Sequence, residues 1–150
     1  MDKVRIGIIG VGNMGSAHIT NVQNVPEAVL AAICDRDRER ADRMAKKAPK
    51  DCRVFYSVDD LLNSGTVDAV IISVPHYDHT PIAIQAFEKG IHVLCEKPVA
   101  VTKSLAQKMI DAHAKHPELR FALMFNQRTR QAHKKIKQMI DNGEFGRIVR

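Results

Sequence analysis

Short apolar runs alternate with amphipathic segments along the chain as far as residue 125. The apolar runs are rich in Val and Ile, which is typical of strands that are buried on both faces of a parallel sheet. Gly, Pro and charged residues separate these runs from the segments that follow them. The pattern predicts six strands, over residues 4–9, 29–34, 54–56, 69–73, 92–95 and 121–125.

The later amphipathic segments carry clear helix signals. Thr80 is predicted to cap a helix that has Pro81 in its first position, and Gly90 is predicted to end that helix. Thr102 is predicted to cap the next helix. A last helix is predicted over residues 131–141, and the residues expected on its inward face are Ala132, Ile136, Met139 and Ile140.

Strands and helices alternate throughout, and the first three helices are predicted over residues 13–22, 37–47 and 59–62. This alternation is typical of parallel sheets whose crossovers are right-handed. The expected fold is therefore α/β, with a doubly wound parallel sheet and helices on both faces. Because a glycine-rich turn follows the first strand, the expected strand order is 3-2-1-4-5-6.

That glycine-rich turn carries the clearest chemistry in the sequence. Gly10 permits a tight turn, Gly12 leaves room for a pyrophosphate beside the backbone, and Gly15 lets the helix pack closely on the strand. Backbone N–H groups at the start of the helix then point at the phosphates, aided by the helix dipole. We predict a dinucleotide-binding βαβ unit over residues 4–35, with the pyrophosphate on Gly10, Val11, Gly12, Asn13, Met14 and Gly15.

Asp35 ends the second predicted strand, 20 residues after Gly15. A carboxylate at this position accepts hydrogen bonds from the hydroxyl groups of the adenosine ribose. The same carboxylate would repel the 2′-phosphate of NADP, so NAD is the expected cofactor. NADP stays open as an alternative, because the guanidinium of Arg36 can stack on adenine or bind that phosphate.

Two further polar segments follow the fourth and fifth predicted strands. In a doubly wound sheet the ligand lies across the carboxyl ends of the strands, at the switch between the first and the fourth. We therefore expect both segments to flank the nicotinamide end of the cofactor. The candidate residues in them are Ser73, Val74, Pro75, His79, Glu96 and Lys97.

Four sequence motifs along the chain resemble those of a known family. They are Gly-Val-Gly-Asn-Met-Gly-Ser-Ala-His (10–18), Val-Pro-x-x-x-His (74–79), Gly-Ile-His-Val-Leu-Cys-Glu-Lys-Pro (90–98) and Phe-Asn-Gln-Arg-Thr (125–129). In order and spacing they resemble the glucose–fructose oxidoreductase, inositol dehydrogenase and MocA family of NAD(P)-dependent sugar and polyol oxidoreductases. The resemblance covers the whole chain, and its most specific part is the Glu-Lys-Pro segment.

The resemblance implies a role for each matching residue. Lys97 would lie near the substrate hydroxyl and the nicotinamide and help proton transfer. Glu96 would form hydrogen bonds in the nicotinamide half of the site, and Pro98 would direct the chain so that Lys97 points inward. The remaining implied contacts are Pro75 and His79 along the middle of the cofactor, and Asn126 and Arg128 toward the substrate.

The resemblance also implies a second α/β domain, with a mostly antiparallel sheet that supplies a catalytic Asp, a catalytic His and most substrate contacts. Residues 1–126 are then expected to form the NAD(P)-binding domain, and residues 127–150 a linking helix and the start of the second domain. We expect an excised N-terminal domain, with a natural short form as the alternative, that binds its cofactor without hydride transfer. The implied substrate is an inositol, an aldose or another polyol, and the full-length protein is expected to form a homo-oligomer.

Charge is distributed unevenly. The net charge is +6, and residues 120–150 contain eight of the 23 Lys and Arg but only two of the 17 Asp and Glu. A basic segment can bind nucleic acid. Five of these eight basic residues lie over 128–137, a stretch without Phe, Tyr or Trp, so we expect a solvated helix face or contact with another domain, and no nucleic-acid partner. A non-enzymatic module that senses NAD is a further alternative to an enzyme. Such a module would not need an inward lysine at position 97 beside the nicotinamide.

The cysteines and the N-terminus bear on the cellular compartment. Cys34, Cys52 and Cys95 are odd in number and widely spaced, which predicts neither a disulfide framework nor a zinc site. No apolar run has membrane-spanning length, and the first predicted strand begins at Val4. We therefore expect no signal peptide, no membrane partner and a cytoplasmic location.

Histidines offer one possible metal motif. His76 and His79 are three residues apart, with Asp78 between them, but no carboxylate or thiol cluster accompanies them. We therefore predict no metal site. His18 matches a residue of the family, although a histidine packed in a helix explains it equally well.

Overall fold

Six parallel strands form one sheet in the computed structural model, which describes residues 3–149. Their order is β3-β2-β1-β4-β5-β6, so the predicted fold class and strand order are confirmed. The chain starts at the centre of the sheet and winds outward in both directions. The strands are β1 (Val4–Ile9), β2 (Ala28–Cys34), β3 (Arg53–Phe55), β4 (Ala69–Ile72), β5 (His92–Cys95) and β6 (Phe121–Leu123).

Helices follow each strand, close to the positions that the apolar spacing predicts. Two short 3-10 turns, His76–Asp78 and Asn126–Thr129, precede the fourth and sixth helices. Side-chain oxygens of Asp37, Ser57 and Thr102 cap three of the helices, and the predicted cap at Thr102 is thereby confirmed. The helices are α1 (Asn13–Gln23), α2 (Arg38–Ala45), α3 (Val58–Leu62), α4 (His79–Glu88), α5 (Lys103–Ala114) and α6 (Gln131–Asp141).

Two apolar clusters cover the two faces of the sheet. Neighbouring residues of one strand enter different clusters, because successive side chains of a strand point to opposite faces. Ile8 of β1 packs in the cluster that contains Ile19 of α1, whereas Ile9 packs in the cluster that contains Phe87 of α4 and Met109 of α5. Burial on both faces explains why the strands are apolar almost without interruption.

The start of α4 differs from the prediction. Thr80 is a buried residue inside α4, and Asp78 occupies the N-cap position. The 3-10 turn runs directly into the helix, so the helix begins before Thr80 and Pro81 falls in its first turn. Pro81 is tolerated there because the first four N–H groups of a helix have no partner within it. The predicted end is confirmed, since Gly90 follows the helix with a positive φ of 71°.

The predicted inward face of α6 is wrong. Ile136 and Ile140 are 47% and 39% exposed, Ala132 is exposed, and only Met139 is half-buried. The helix packs mainly against the neighbouring 3-10 turn and lies away from both apolar clusters of the sheet. The spacing of apolar residues therefore predicted the helix and its apolar stripe correctly, but not what the stripe contacts.

The three thiols differ in burial. Cys34 and Cys95 are buried, Cys52 is half-buried, and all three are free. Burial disfavours the charged thiolate and raises the pKa of Cys34 and of Cys95 to about 12, with smaller contributions from the carboxylates of Asp35 and Glu96. For Cys52, burial raises the thiol pKa to about 11.

We predict that the folded protein resists thiol reagents. Near about pH 8, the raised pKa values reduce the thiolate fraction of Cys34 and Cys95 by about 10³-fold relative to an unfolded chain, and burial blocks access as well. Reaction with a chromogenic disulfide should therefore be slow in the native protein, begin at Cys52, and become rapid at all three thiols in denaturant. Fast labelling of Cys34 or Cys95 before unfolding would contradict the fold around them.

Candidate cofactor site

The segments after β1, β4 and β5 meet at one edge of the sheet. The N–H of Ser73 donates to the carbonyl oxygen of Ile9 at 2.8 Å, and the N–H of Glu96 donates to that of Ile72 at 2.9 Å. The parallel ladder therefore continues past the assigned strand ends. As a result, the glycine turn and both predicted polar segments stand side by side at the carboxyl edge.

The glycine turn has almost no free space at two of its three glycines. Gly10 has a φ of 85°, and a Cβ on Gly15 would lie 1.9 Å from the carbonyl oxygen of Gly10. The hydroxyl of Ser73 donates to that same carbonyl oxygen at 2.6 Å. A side chain at either glycine would therefore push α1 away from the strand or force the turn open.

Gly12 is different, because a Cβ built there would meet no atom of the described residues within 4 Å. Gly12 is also the N-cap residue of α1, and no side chain forms a capping hydrogen bond at this helix end. Asn13 and Met14, which follow it, are exposed. The N–H groups of the first turn and open space thus face the same place, which fits a pyrophosphate.

Asp35 is only 6% exposed at the end of β2, and its carboxylate is held by the chain itself. It accepts hydrogen bonds from the N–H groups of Val11 and Asp37, each at 3.0 Å. The guanidinium of Arg40 lies 3.3 Å from both of its oxygens. The carboxylate is thereby fixed between the glycine turn and the start of α2, and its predicted contact with a ribose stays a prediction.

Sequence analysis missed Arg40. Besides contacting Asp35, its guanidinium forms a 2.9 Å ion pair with Asp37. Its position gives a signal in hindsight, because Asp37 caps α2 and Arg40 follows it by three residues on the first turn. Arg36, the residue considered earlier, is exposed.

His79 connects the segments that follow β4 and β5. It is fully buried, with its Nδ1 2.9 Å from the carbonyl oxygen of Pro98 and its Nε2 3.1 Å from that of Val74. The peptide bond between Lys97 and Pro98 is cis. Both ring nitrogens of His79 therefore have protein partners, which favours a role in holding the two segments together over direct contact with a ligand.

Glu96 and Lys97 differ sharply in environment although they are neighbours. Glu96 is buried, and its Oε1 lies 2.9 Å from Nε2 of His18 on α1. Its other oxygen, Oε2, accepts the N–H of Lys97 at 3.2 Å. Lys97 itself is exposed at the sheet edge. The carboxylate thus belongs to the protein framework, whereas the lysine is free to meet a ligand.

The contact between His18 and Glu96 also escaped sequence analysis. The helical period contains the signal, because His18 shares the buried face of α1 with Gly15, Ile19 and Val22. A polar residue on such a face needs a buried partner. The sequence alone does not identify a partner 78 residues away.

The other predicted site residues lie at the same edge or next to it. Ser73 and Val74 are half-buried in the segment after β4, and Pro75 beside them is exposed. Asn126 and Arg128 are exposed on the 3-10 turn after β6, which follows the outermost strand on that side. Their contacts with a cofactor or substrate stay predictions.

Among the described residues, no group of three or more His, Cys, Asp or Glu side chains is placed to hold a metal ion. His76 and His79 stand with their ring centroids 5.6 Å apart, edge to face. Between residues 3 and 149, no helix combines the length and apolar character needed to cross a membrane.

Together, the strand order and the glycine turn define a dinucleotide-binding domain of the Rossmann type. Comparison with known proteins is more specific. The profile of the oxidoreductase family with an NAD-binding Rossmann fold, named for glucose–fructose oxidoreductase, inositol dehydrogenase and MocA, matches residues 4–123. The chain belongs to this family, and the resemblance stated from its motifs is confirmed.

Curated relatives include inositol 2-dehydrogenases. That of Corynebacterium glutamicum strain R is 29% identical over 148 residues, which are 98% of this chain and 44% of the relative. That of Salmonella typhimurium strain LT2 is 31% identical over 144 residues, which are 95% of this chain and 43% of the relative. The chain thus spans less than half the length of these relatives.

Solved structures show the same similarity. The scyllo-inositol dehydrogenase of Lactobacillus casei, solved with NAD(H) and scyllo-inositol, gives a TM-score of 0.89 at 29% identity and covers 97% of this chain and 43% of that one. The WlbA dehydrogenase of Bordetella pertussis, solved with NADH and UDP-GlcNAcA, gives 0.88 at 30% identity, over 97% and 44% of the two chains.

The glycines of the turn allow a direct test of its packing. Alanine at position 15 favours a helix by about 1 kcal/mol over glycine, but its Cβ would collide with the turn, so we expect Gly15→Ala to lower the free energy of unfolding by about 2–3 kcal/mol. The matched control is Gly12→Ala, which meets open space and should cost less than about 1 kcal/mol. Equal stability of the two variants in denaturant unfolding would refute the close approach of α1 to the turn.

Proposed function

We propose that residues 1–150 are the NAD-binding part of a dehydrogenase that transfers a hydride between nicotinamide and a CH–OH carbon of an inositol, sugar or related polyol. The observation that carries this proposal is the meeting of two kinds of site at one sheet edge. An uncapped helix N-terminus beside open space at Gly12 suits a pyrophosphate. An exposed lysine, Lys97, stands at the same edge after β5, which is separated from β1 by β4.

Membership of the family and the inositol dehydrogenases among the relatives support the reaction class. In the proposed reaction, NAD⁺ held by the glycine turn and Asp35 would supply the acceptor for the hydride of the carbinol carbon. Lys97 in its uncharged form would take the hydroxyl proton on Nζ, and would return it when the reaction runs backward. Glu96 would support Lys97 by accepting the hydrogen bond from its backbone N–H.

Residues 1–126 would form the binding domain, and residues 127–150 would lead into a substrate-binding part of the kind that the family possesses. Residues 1–150 alone would bind the cofactor without turnover, because hydride transfer needs a substrate held at a set distance from the nicotinamide. A cytoplasmic location and homo-oligomerisation of the full-length protein also stay predictions.

Cofactor choice is tested by titration. We expect the chain to bind NADH at least about tenfold more tightly than NADPH, because the proposed ribose contact of the Asp35 carboxylate would bring a 2′-phosphate of like charge close to it. Fluorescence titration with both nucleotides measures the ratio. Asp35→Asn should narrow it, whereas Asp111→Asn, on the distal half of α5, should leave it unchanged. Tighter binding of NADPH by the unaltered chain would overturn the NAD assignment.

The proposed role of Lys97 predicts a separation of turnover from binding. In the complete protein that contains these residues, Lys97→Ala should reduce turnover of a polyol by about 10²–10⁴-fold, the usual contribution of a general acid or base. NADH affinity should stay within about twofold, since the pyrophosphate contacts are untouched. Lys89→Ala, at the end of α4, is the control.

Turnover that survives Lys97→Ala unchanged would contradict the role of the lysine. A complete protein that binds NADH but oxidises no polyol, aldose or inositol would instead favour the alternative of an NAD-sensing module.

A further inference from the structure

A buried polar connection joins the cofactor-binding helix to the segment that carries Lys97. His18 and Glu96 are 4% and 6% exposed, and Nε2 of His18 lies 2.9 Å from Oε1 of Glu96. The other carboxylate oxygen receives the backbone N–H of Lys97 at 3.2 Å. Two successive hydrogen bonds therefore link the ring of His18, the carboxylate of Glu96 and the backbone N–H of Lys97.

Each link in this connection has a physical necessity. A carboxylate that is buried without partners is costly, so Glu96 needs donors for both of its oxygens. The backbone of Lys97 satisfies only one of them. His18 supplies the other, and to do so it must carry its proton on Nε2, whichever charge state the ring has. Without that donor, the carboxylate would turn toward water and release the Lys97 N–H.

The position of His18 gives the connection its meaning. His18 lies on α1 one turn beyond Gly15, so it moves with the helix whose N-terminus faces the open space at Gly12. Lys97 stands on a segment that follows β5, two strands away from β1. The hydrogen bond between His18 and Glu96 therefore sets the segment of Lys97 relative to the helix end.

We propose that His18 is a positioning residue, which acts through Glu96 to hold the backbone of Lys97 in register with the cofactor-binding end of α1. This inference rests on the proposed function, in which Lys97 handles a proton near the nicotinamide. His18 itself contacts neither proposed ligand. Its contribution is the fixed direction of the Glu96 carboxylate, and through it the place from which the Lys97 side chain extends.

The test compares three variants of the ¹⁵N-labelled chain by NMR. In His18→Leu, the Lys97 amide should exchange with solvent about tenfold or more faster than in the unaltered protein, and its resonance should move. In His18→Gln the side-chain amide nitrogen replaces Nε2 at a similar reach, so exchange should return to within about threefold of the unaltered value. His116→Leu, in the segment that follows α5, is the control and should change nothing at Lys97.

Slow exchange at Lys97 in His18→Leu would overturn the proposal, and so would equal losses in the Leu and Gln variants. Should His18→Leu fail to fold, the unaltered protein decides the matter. Its His18 should show a proton on Nε2 that exchanges slowly and resonates far downfield, and an unprotonated Nε2 would contradict the proposed donor.

Titration with NADH separates this inference from the proposed function. Saturating NADH should shift the Lys97 amide resonance in the unaltered protein and in His18→Gln, and shift it less in His18→Leu. A chain that does not bind NADH at all would remove the proposed function, while the exchange rates without nucleotide would still decide whether His18 holds Lys97.

Discussion

The contact between α1 and the turn that precedes it is the constraint on which the rest of the site depends. At Gly15 the helix approaches the carbonyl oxygen of Gly10 so closely that no Cβ fits. The hydroxyl of Ser73, which follows β4, donates a hydrogen bond to the same carbonyl oxygen. This packing fixes the axis of α1 against the central strand of the sheet. The direction of this axis determines where the N–H groups of the first helical turn point. The place proposed for a pyrophosphate therefore depends on a steric contact between backbone atoms.

Polar groups around this contact serve mostly to hold its surroundings. Asp35 joins the glycine turn to the start of α2, His79 joins the segments after β4 and β5, and Glu96 joins α1 to Lys97. In the part of the chain that the structure describes, no buried side-chain nitrogen or oxygen lacks a hydrogen-bond partner. A network without unpaired members is rigid, and rigidity is what a site needs to hold a flexible dinucleotide in one conformation.

The two ends of the described chain differ in how far their apolar residues are buried. From β1 to β5 most apolar residues enter the two clusters of the sheet, although Val4, Met14, Val25, Val29 and Tyr77 stay exposed. After β6 the opposite holds, since Phe125, Ile136, Phe145 and Ile148 are about half exposed. The same stretch of the chain carries the excess of basic residues, so it combines positive charge with exposed apolar side chains.

The sequence by itself determined the elements, their order in the sheet and the glycine turn, because these depend on local spacing and on residue types with few alternatives. Period and burial identify strands and helices. Gly10 and Gly15 stand where only glycine meets the demands of the turn and of the helix, and Gly12 borders the open space in which a ligand is proposed. Tertiary structure decided which polar groups meet. His79 with Pro98 and His18 with Glu96 are brought together by winding of the chain around the sheet, whereas Arg40 meets Asp35 locally, at the start of α2. It also decided that the apolar stripe of α6 stays exposed, since an amphipathic pattern specifies a face but not a partner. Pairing across 78 residues depends on the direction and spacing of whole elements, which no local pattern records.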